Sequence, residues 1–198
     1  MYRPSAACLA PLYPLVLLLA GCQGLPPVQG DSVHAKPSAT LSETSPLEVV
    51  VAPIQNHAGS GVPVAMLRES FQKTLVQRRY SPLALPYVDR QVQNAAYRPG
   101  SLDEHAVLEL TVEGWNATLW SAQNALEVKI QARLVDARNP GGSDLWTGKV
   151  DRRFDFGAQR QRYPSEELLL RQACHDIAGE LLAALPMRDP SPARPPKD

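Results

Sequence analysis

Three cysteines and four histidines are the side chains of this 198-residue chain best suited to nucleophilic, metal or proton-transfer chemistry, and their spacing brings few of them together. His34, His57, His105 and His175 are scattered, and no H-x-x-x-H, paired-cysteine or Asp-rich segment offers ligand spacing for a metal. Cys174 and His175 are adjacent on a predicted helix, where neighbours point in different directions, so they do not form a nucleophile–base pair. No G-x-S-x-G elbow or phosphate loop is present. The segment Gln55-Asn56-His57-Ala58-Gly59-Ser60-Gly61 falls between a strand and a helix, where backbone N–H groups can hold an anion, but a plain connecting turn is the simpler reading. The expectation is a chain with no catalytic residues, no metal ligands and no cofactor, acting on no small-molecule substrate.

The cysteine that carries a chemical signal is Cys22. It ends the small-residue segment Leu19-Ala20-Gly21-Cys22, directly after the apolar run Leu15-Val16-Leu17-Leu18-Leu19. The apolar stretch from Leu9 to Ala20 is interrupted by Pro11 and Pro14 and is shorter than the roughly 20 residues that span a bilayer. Such a stretch, preceded by Arg3 and closed by small residues, reads as an export signal. The tetrapeptide resembles a bacterial lipobox. That resemblance implies a lipoprotein signal peptide over residues 1–21, acyl chains (diacylglycerol and palmitate) on Cys22, and a membrane anchor. Gln23 after the cysteine implies sorting to the outer membrane, with the domain facing the periplasm. Cys8 then leaves with the signal and Cys22 carries lipid, so Cys174 has no disulfide partner; on its apolar helical stripe it reads as a small buried hydrophobe.

Positive and negative charges balance at 20 each, and loss of Arg3 with the signal leaves one excess negative charge. No basic stripe stands out, which argues against nucleic acid as a partner. Residues 22–46 are rich in Pro, Ser, Thr and Gly without apolar periodicity, the composition of a flexible tether with a root-mean-square span of roughly 27 Å. Residues 187–198 form a Pro-rich tail expected to be disordered. Between them, residues 47–186 are enough for a single domain with a core of its own.

Within that domain Leu47 to Ile54, with Val49, Val50 and Val51, reads as a buried strand. A helix starts near Pro63, with Val64, Leu67, Phe71 and Leu75 as its buried stripe and Arg68, Glu69, Gln72 and Lys73 expected largely off it. Leu83-Ala84-Leu85-Pro86-Tyr87-Val88 reads as an edge strand because of its prolines, completing a parallel crossover. The period then shortens to two. Leu108, Leu110 and Val112 alternate with Glu109, Thr111 and Glu113, and Leu126, Val128, Ile130, Ala132 and Leu134 alternate with Glu127, Lys129, Gln131 and Arg133. Asn139-Pro140-Gly141-Gly142 turns the chain into a further strand from about Asp144 to Phe156. Ser165-Glu166-Glu167 caps a last helix whose stripe is Leu170, Cys174, Ile177, Leu181 and Leu185. The expected fold is α/β (α+β), a two-layer sandwich of order β-α-β-β-β-β-α, with a mixed sheet, both helices on one face and a charged second face.

The segments Val49-Val50-Val51-Ala52-Pro53-Ile54-Gln55-Asn56, Arg79-Tyr80-Ser81-Pro82-Leu83, His105-Ala106-Val107-Leu108, Leu134-Val135-Asp136-Ala137-Arg138 and Leu145-Trp146-Thr147-Gly148 resemble a group of small α/β envelope domains. The group includes the curli-secretion lipoprotein, the amino-terminal domain of the Tol-system propeller protein and lipoprotein activators of peptidoglycan synthases. The lipopolysaccharide-assembly lipoprotein has a similar element order, although its domain usually begins right after the cysteine. None of these resemblances carries a catalytic motif. Trp115, Leu119 and Trp120, near the end of the first hairpin, are the candidate partner contacts, since aromatics at an exposed tip anchor partners; the plainer reading has Trp115 capping the core edge, Trp120 covering the sheet and Trp146 inside. The resemblance implies a non-catalytic outer-membrane lipoprotein, an accessory or binding module of an envelope assembly, transport or secretion machine with an envelope protein as partner. The alternative is a lipid-handling component, which a deep apolar groove between helices and sheet would favour.

Overall fold

The computed structural model describes residues 32–38, 40–93, 97–139 and 141–189. The expected signal peptide, Cys22, the tether up to residue 31 and the tail from residue 190 lie outside the described residues. The strands are β1 (Ser32–Pro37), β2 (Glu48–Val51), β3 (Gln55–Asn56), β4 (Ser81–Pro82), β5 (Ala106–Asn116), β6 (Ala125–Asp136) and β7 (Asp144–Asp155). The helices are α1 (Thr40–Thr44), α2 (Val64–Gln77), α3 (Leu85–Gln93), α4 (Trp120–Gln123) and α5 (Glu166–Leu182). They make one mixed sheet in the order β1-β7-β6-β5-β2-β4, with β3 paired to β5. Along β1, β7, β6 and β5 each strand is antiparallel to its neighbour, while β2 is parallel to both β5 and β4.

The alternation read from β5 and β6 holds, and much of β7 continues it. Leu108, Leu110, Val112, Ile130, Leu134 and Val150 are buried against α2 and α5, and the intervening charges face the other way. Two irregularities shift that alternation. Between Val112 and Gly114 the β5–β6 register slips by one residue, which turns Trp115 back to the core side, where it packs half-buried. Between Leu134 and Val135 the β6–β7 register slips likewise, so that Leu145 and Trp146 are both fully buried. The Trp146 indole lies over Gly148, where an added Cβ would fall inside van der Waals contact of the ring and close to the Leu181 side chain. The Trp-x-Gly segment is therefore a packing device.

α5 begins as expected, with the Ser165 hydroxyl accepting from the Leu168 N–H at 3.2 Å. Its buried face is broader than the expected stripe: Leu169, Ala173, Ala178 and Leu182 join Cys174, Ile177, Leu181 and Leu185, and Leu170 is only half-buried. Burial pushes the Cys174 thiol up to about 12, as befits a packing residue.

Three expectations are corrected. Residues 83–88 do not form an edge strand: β4 stops at Pro82 and Leu85–Gln93 is helical. Pro86 is tolerated because the first turn of a helix needs no N–H from it, and Leu85, Val88 and Val92 recur at helical spacing. α2 and α5 share one face of the sheet as expected, and this helix is an addition on the other. Val50, Val88, Val107 and Ala137 form a second cluster, whereas Val49, Val51 and Leu108 belong to the main core, so α3 covers the face of β2 opposite α2 and α5. The ordered domain also starts earlier than residue 47. β1 and α1 lie within the stretch read as tether, β1 lengthening the sheet beside β7 with Ala35 against the core and α1 burying Leu41.

The third correction is Arg68, which is only 8 % exposed. Its guanidinium donates to the Val51 carbonyl at 3.1 and 2.7 Å and to the Asp89 carboxylate on α3. It thereby ties α2, on one face of the sheet, to α3 on the other around the end of β2. Replacing Arg68 by Met should lower the unfolding free energy by about 2–4 kcal/mol in urea titration, because a buried carbonyl loses both donors. Asp89→Ala should cost under about 1 kcal/mol, the Asp89 side chain being 42 % exposed. Gly148→Ala should cost about 1–3 kcal/mol by overpacking against Trp146, with near-ultraviolet circular dichroism reporting the displaced indole.

Candidate functional site

The residues proposed from sequence as partner contacts do not form an exposed aromatic tip. Trp120 opens the short helix α4 and is 8 % exposed; its ring meets Phe156 edge-on at 6.0 Å between centroids, and its Nε1 donates to Glu166 Oε1 at 3.0 Å. Leu119 and Trp115 are half-buried. The reason is local. Asn124 takes a left-handed conformation, φ 49°, folding the β5–β6 connection back over the sheet end, and the slip in β5 turns Trp115 inward. Cys22 lies outside the described residues.

What the domain does present is a broad polar sheet face. Along β5, β6 and β7 this face is built from cross-strand ion pairs. Arg133 on β6 reaches Glu109 on β5 at 3.2 Å and Asp144 on β7 at 2.8 Å, and Lys129 reaches Glu113 at 3.2 Å. The hydrogen bonds that Arg133 donates to Asp144 raise its pKa against the opposing effect of burial, and the charges of Asp144 and Glu109 add to the rise. Asn116 donates to Glu127 at 2.8 Å, continuing the ladder toward the far end. Each exposed pair contributes little to stability, but together they set a fixed pattern of alternating charge. A shallow depression of about 480 Å³ crosses the β1 side of the sheet, lined among others by His34, Lys36, Gln131, Arg133 and Lys149.

A second feature lies where β5 begins and β6 ends. A cleft of about 1030 Å³ is bordered by Arg98, Asp103, His105, Arg138 and Asn139. Its two buried carboxylates are committed to holding loops. Glu104, 1 % exposed, accepts from the Tyr97 hydroxyl at 2.9 Å and from the N–H groups of Gly100 and Leu102, both at 2.8 Å. Burial, then the bond to Glu104 and that group's charge, push the Tyr97 hydroxyl well above its ordinary pKa. Asp136, also 1 % exposed, accepts from the Arg138 N–H at 3.1 Å and the Asn139 amide at 2.6 Å, with the Arg138 guanidinium beside it at 3.4 Å. Burial pulls its pKa upward, but these donors together outweigh burial and bring it below the ordinary value of 3.8. Among the described residues, no three His, Cys, Asp or Glu side chains are grouped to hold a metal ion. No helix among them is long and apolar enough to cross a membrane.

No protein-family model matches this chain, and no curated protein matches it significantly. Solved structures do. A PelC variant from Paraburkholderia phytofirmans, solved as a dodecamer, aligns with 16 % identity over 80 % of this chain and 100 % of its own, at a TM-score of 0.55. A second crystal form of the PelC dodecamer aligns with 15 % identity over 81 % and 100 %, at 0.51. The fold is shared with PelC. Lipoprotein GNA1162 from Neisseria meningitidis aligns with 24 % identity over 67 % of this chain and 99 % of its own, at 0.47. The small α/β domain read from short segments such as Val49–Asn56 is thus met by the fold shared with PelC.

The lowered pKa of Asp136 has a pH consequence. A carboxyl whose folded pKa lies below its unfolded value contributes stability that is fully present above the unfolded value and is lost as pH falls through the folded one. The urea midpoint of the wild-type domain should therefore drop below about pH 4. In Asp136→Asn that part of the acid dependence should vanish, with a loss of about 1–2 kcal/mol at neutral pH.

Proposed function

We propose that this chain is a non-catalytic, lipid-anchored accessory module of a cell-envelope assembly, transport or secretion machine. Cys22 carries the acyl chains at the outer membrane, and the domain meets its partner in the periplasm. The observation that carries this reading is the fold shared with PelC, a protein solved as an oligomer, combined with a polar sheet face along β5–β7 that, beyond Val107 under α3, stays uncovered among the described residues. PelC's assembly into a dodecamer suggests that contacts between such domains, through protein surfaces, are how this chain works. The buried carboxylates Glu104 and Asp136 fit that reading, being engaged in loop geometry.

The lipid-handling alternative asks for an apolar groove between helices and sheet. Leu67, Phe71, Leu75, Ile130, Leu134, Trp146, Ile177 and Leu181, which line that interface, are all 0 % exposed, which favours the accessory reading. The partner-contact assignment moves accordingly, from Trp115, Leu119 and Trp120 to the open sheet face.

Two measurements test the proposal in the native bacterium. Metabolic labelling with a palmitate analogue should mark the wild-type chain and leave Cys22→Ser unmarked; equal labelling of both overturns the anchor. A photoreactive residue at Gln131, on the open face, should crosslink to another copy of the chain or to a defined envelope protein. Crosslinks to lipid or lipopolysaccharide alone would move the assignment to lipid handling.

A further inference from the structure

The direction of β1 determines where the chain enters the domain. β1 is antiparallel to β7, with Ser32 beside Asp151 and Pro37 beside Trp146. Ser32, the first described residue, therefore lies nearer the end of the sheet where β7 finishes at Asp155 than the end where it starts at Asp144. At that end β7 passes into a 3-10 turn, Gly157–Gln159, and then into the exposed loop that leads to Ser165. The β5–β6 connection is beside it, the Phe156 N–H donating to the Asn124 carbonyl at 2.8 Å. Cys22 lies ten positions before Ser32, a contour of at most about 35 Å and a root-mean-square span of roughly 17 Å. β7 alone is about 40 Å long at ordinary strand rise. With lipid on Cys22, the end of the domain nearest the bilayer is this one, and the cleft beside His105 and Asp136 is the far one.

The charges at the near end differ in how they are engaged. Its carboxylates have internal partners: Glu166 accepts from Trp120, Glu167 pairs with Arg171 at 3.3 Å, Glu127 accepts from Asn116, and Asp155 accepts from the Gly157 N–H at 2.8 Å. Arg160 and Arg162 are exposed on the loop, and neither guanidinium has a partner among the described residues. A guanidinium is the side chain best matched in geometry to a phosphate, through two parallel N–H···O bonds.

We propose that the end of the domain bearing Arg160 and Arg162 lies against the membrane, with these two arginines on lipid headgroup phosphates, so that the strands stand away from the bilayer and the far cleft faces the periplasm. This rests on the lipid anchor at Cys22. The test uses the full lipidated chain reconstituted into phosphatidylcholine vesicles with and without phosphatidylglycerol. A fluorophore is placed at Gln161→Cys or, in a second sample, at Asp103→Cys; Cys174 is buried and leaves labelling to these sites. Energy transfer to a headgroup dye should be severalfold greater from position 161 than from position 103. Reversing the charge, Arg160→Glu with Arg162→Glu, should lower transfer from position 161 in the anionic vesicles by about twofold or more, in keeping with the attraction of exposed arginines to an anionic surface. Co-flotation with the vesicles reports the anchor separately. Failure to float removes the anchor and this inference with it. Flotation with equal or reversed transfer, or with transfer unchanged by the charge reversal, leaves the anchor standing and overturns the membrane-facing end.

Discussion

Burial of β2 on both of its faces is the constraint on which the rest of the domain depends. Val49 and Val51 point into the main core and Val50 into the second cluster, and all three are fully buried. A strand buried on both sides needs cover from two layers, and the chain supplies it with α2 and α5 on one face and α3 on the other. Arg68 closes the arrangement, spanning from α2 past the end of β2 to Asp89 on α3. Its position shows why a charge can sit among apolar residues: the carbonyl at the strand end and the carboxylate across the edge satisfy the guanidinium.

Away from β2 the sheet changes character. Beyond Val107, which packs in the second cluster, β5, β6 and β7 are buried on one face only, and the charges on the other are held in register by neighbours across the strands. The molecule thus divides into a doubly covered part that holds the fold together and a singly covered part that presents a large polar surface. The fold shared with PelC at low identity is what such a division predicts: the packing pattern is retained while the exposed positions are free to differ.

The antiparallel part was legible because period-two alternation sustained over 108–113 and again over 126–134 has few competing explanations. The last helix was legible from its cap and stripe. Arg68 was legible in principle and misread: it lies four residues after Val64 and three before Phe71, on the apolar face itself. α3 was hidden by Pro86, which marks a strand edge and a helical first turn equally well. β1 was hidden because it makes most of its case through pairing with β7, and Val33, His34, Ala35 and Lys36 carry too little apolar weight to announce a strand. Trp120 could not be placed from sequence because its burial is set by the left-handed Asn124 and by the fold of the β5–β6 connection, neither of which leaves a periodic trace.

The edge position of β1 has a mechanical meaning. Tension applied to the chain before Ser32 enters the domain along the strand axis, and β1 transmits it to β7 through hydrogen bonds that lie across the direction of pull. Bonds in that arrangement are loaded together, as in a lap joint, whereas a strand pulled sideways from its edge opens one bond at a time like a zip. If the domain is gripped at its far end while its amino terminus is held, the first element to bear the load is the one that bears it collectively.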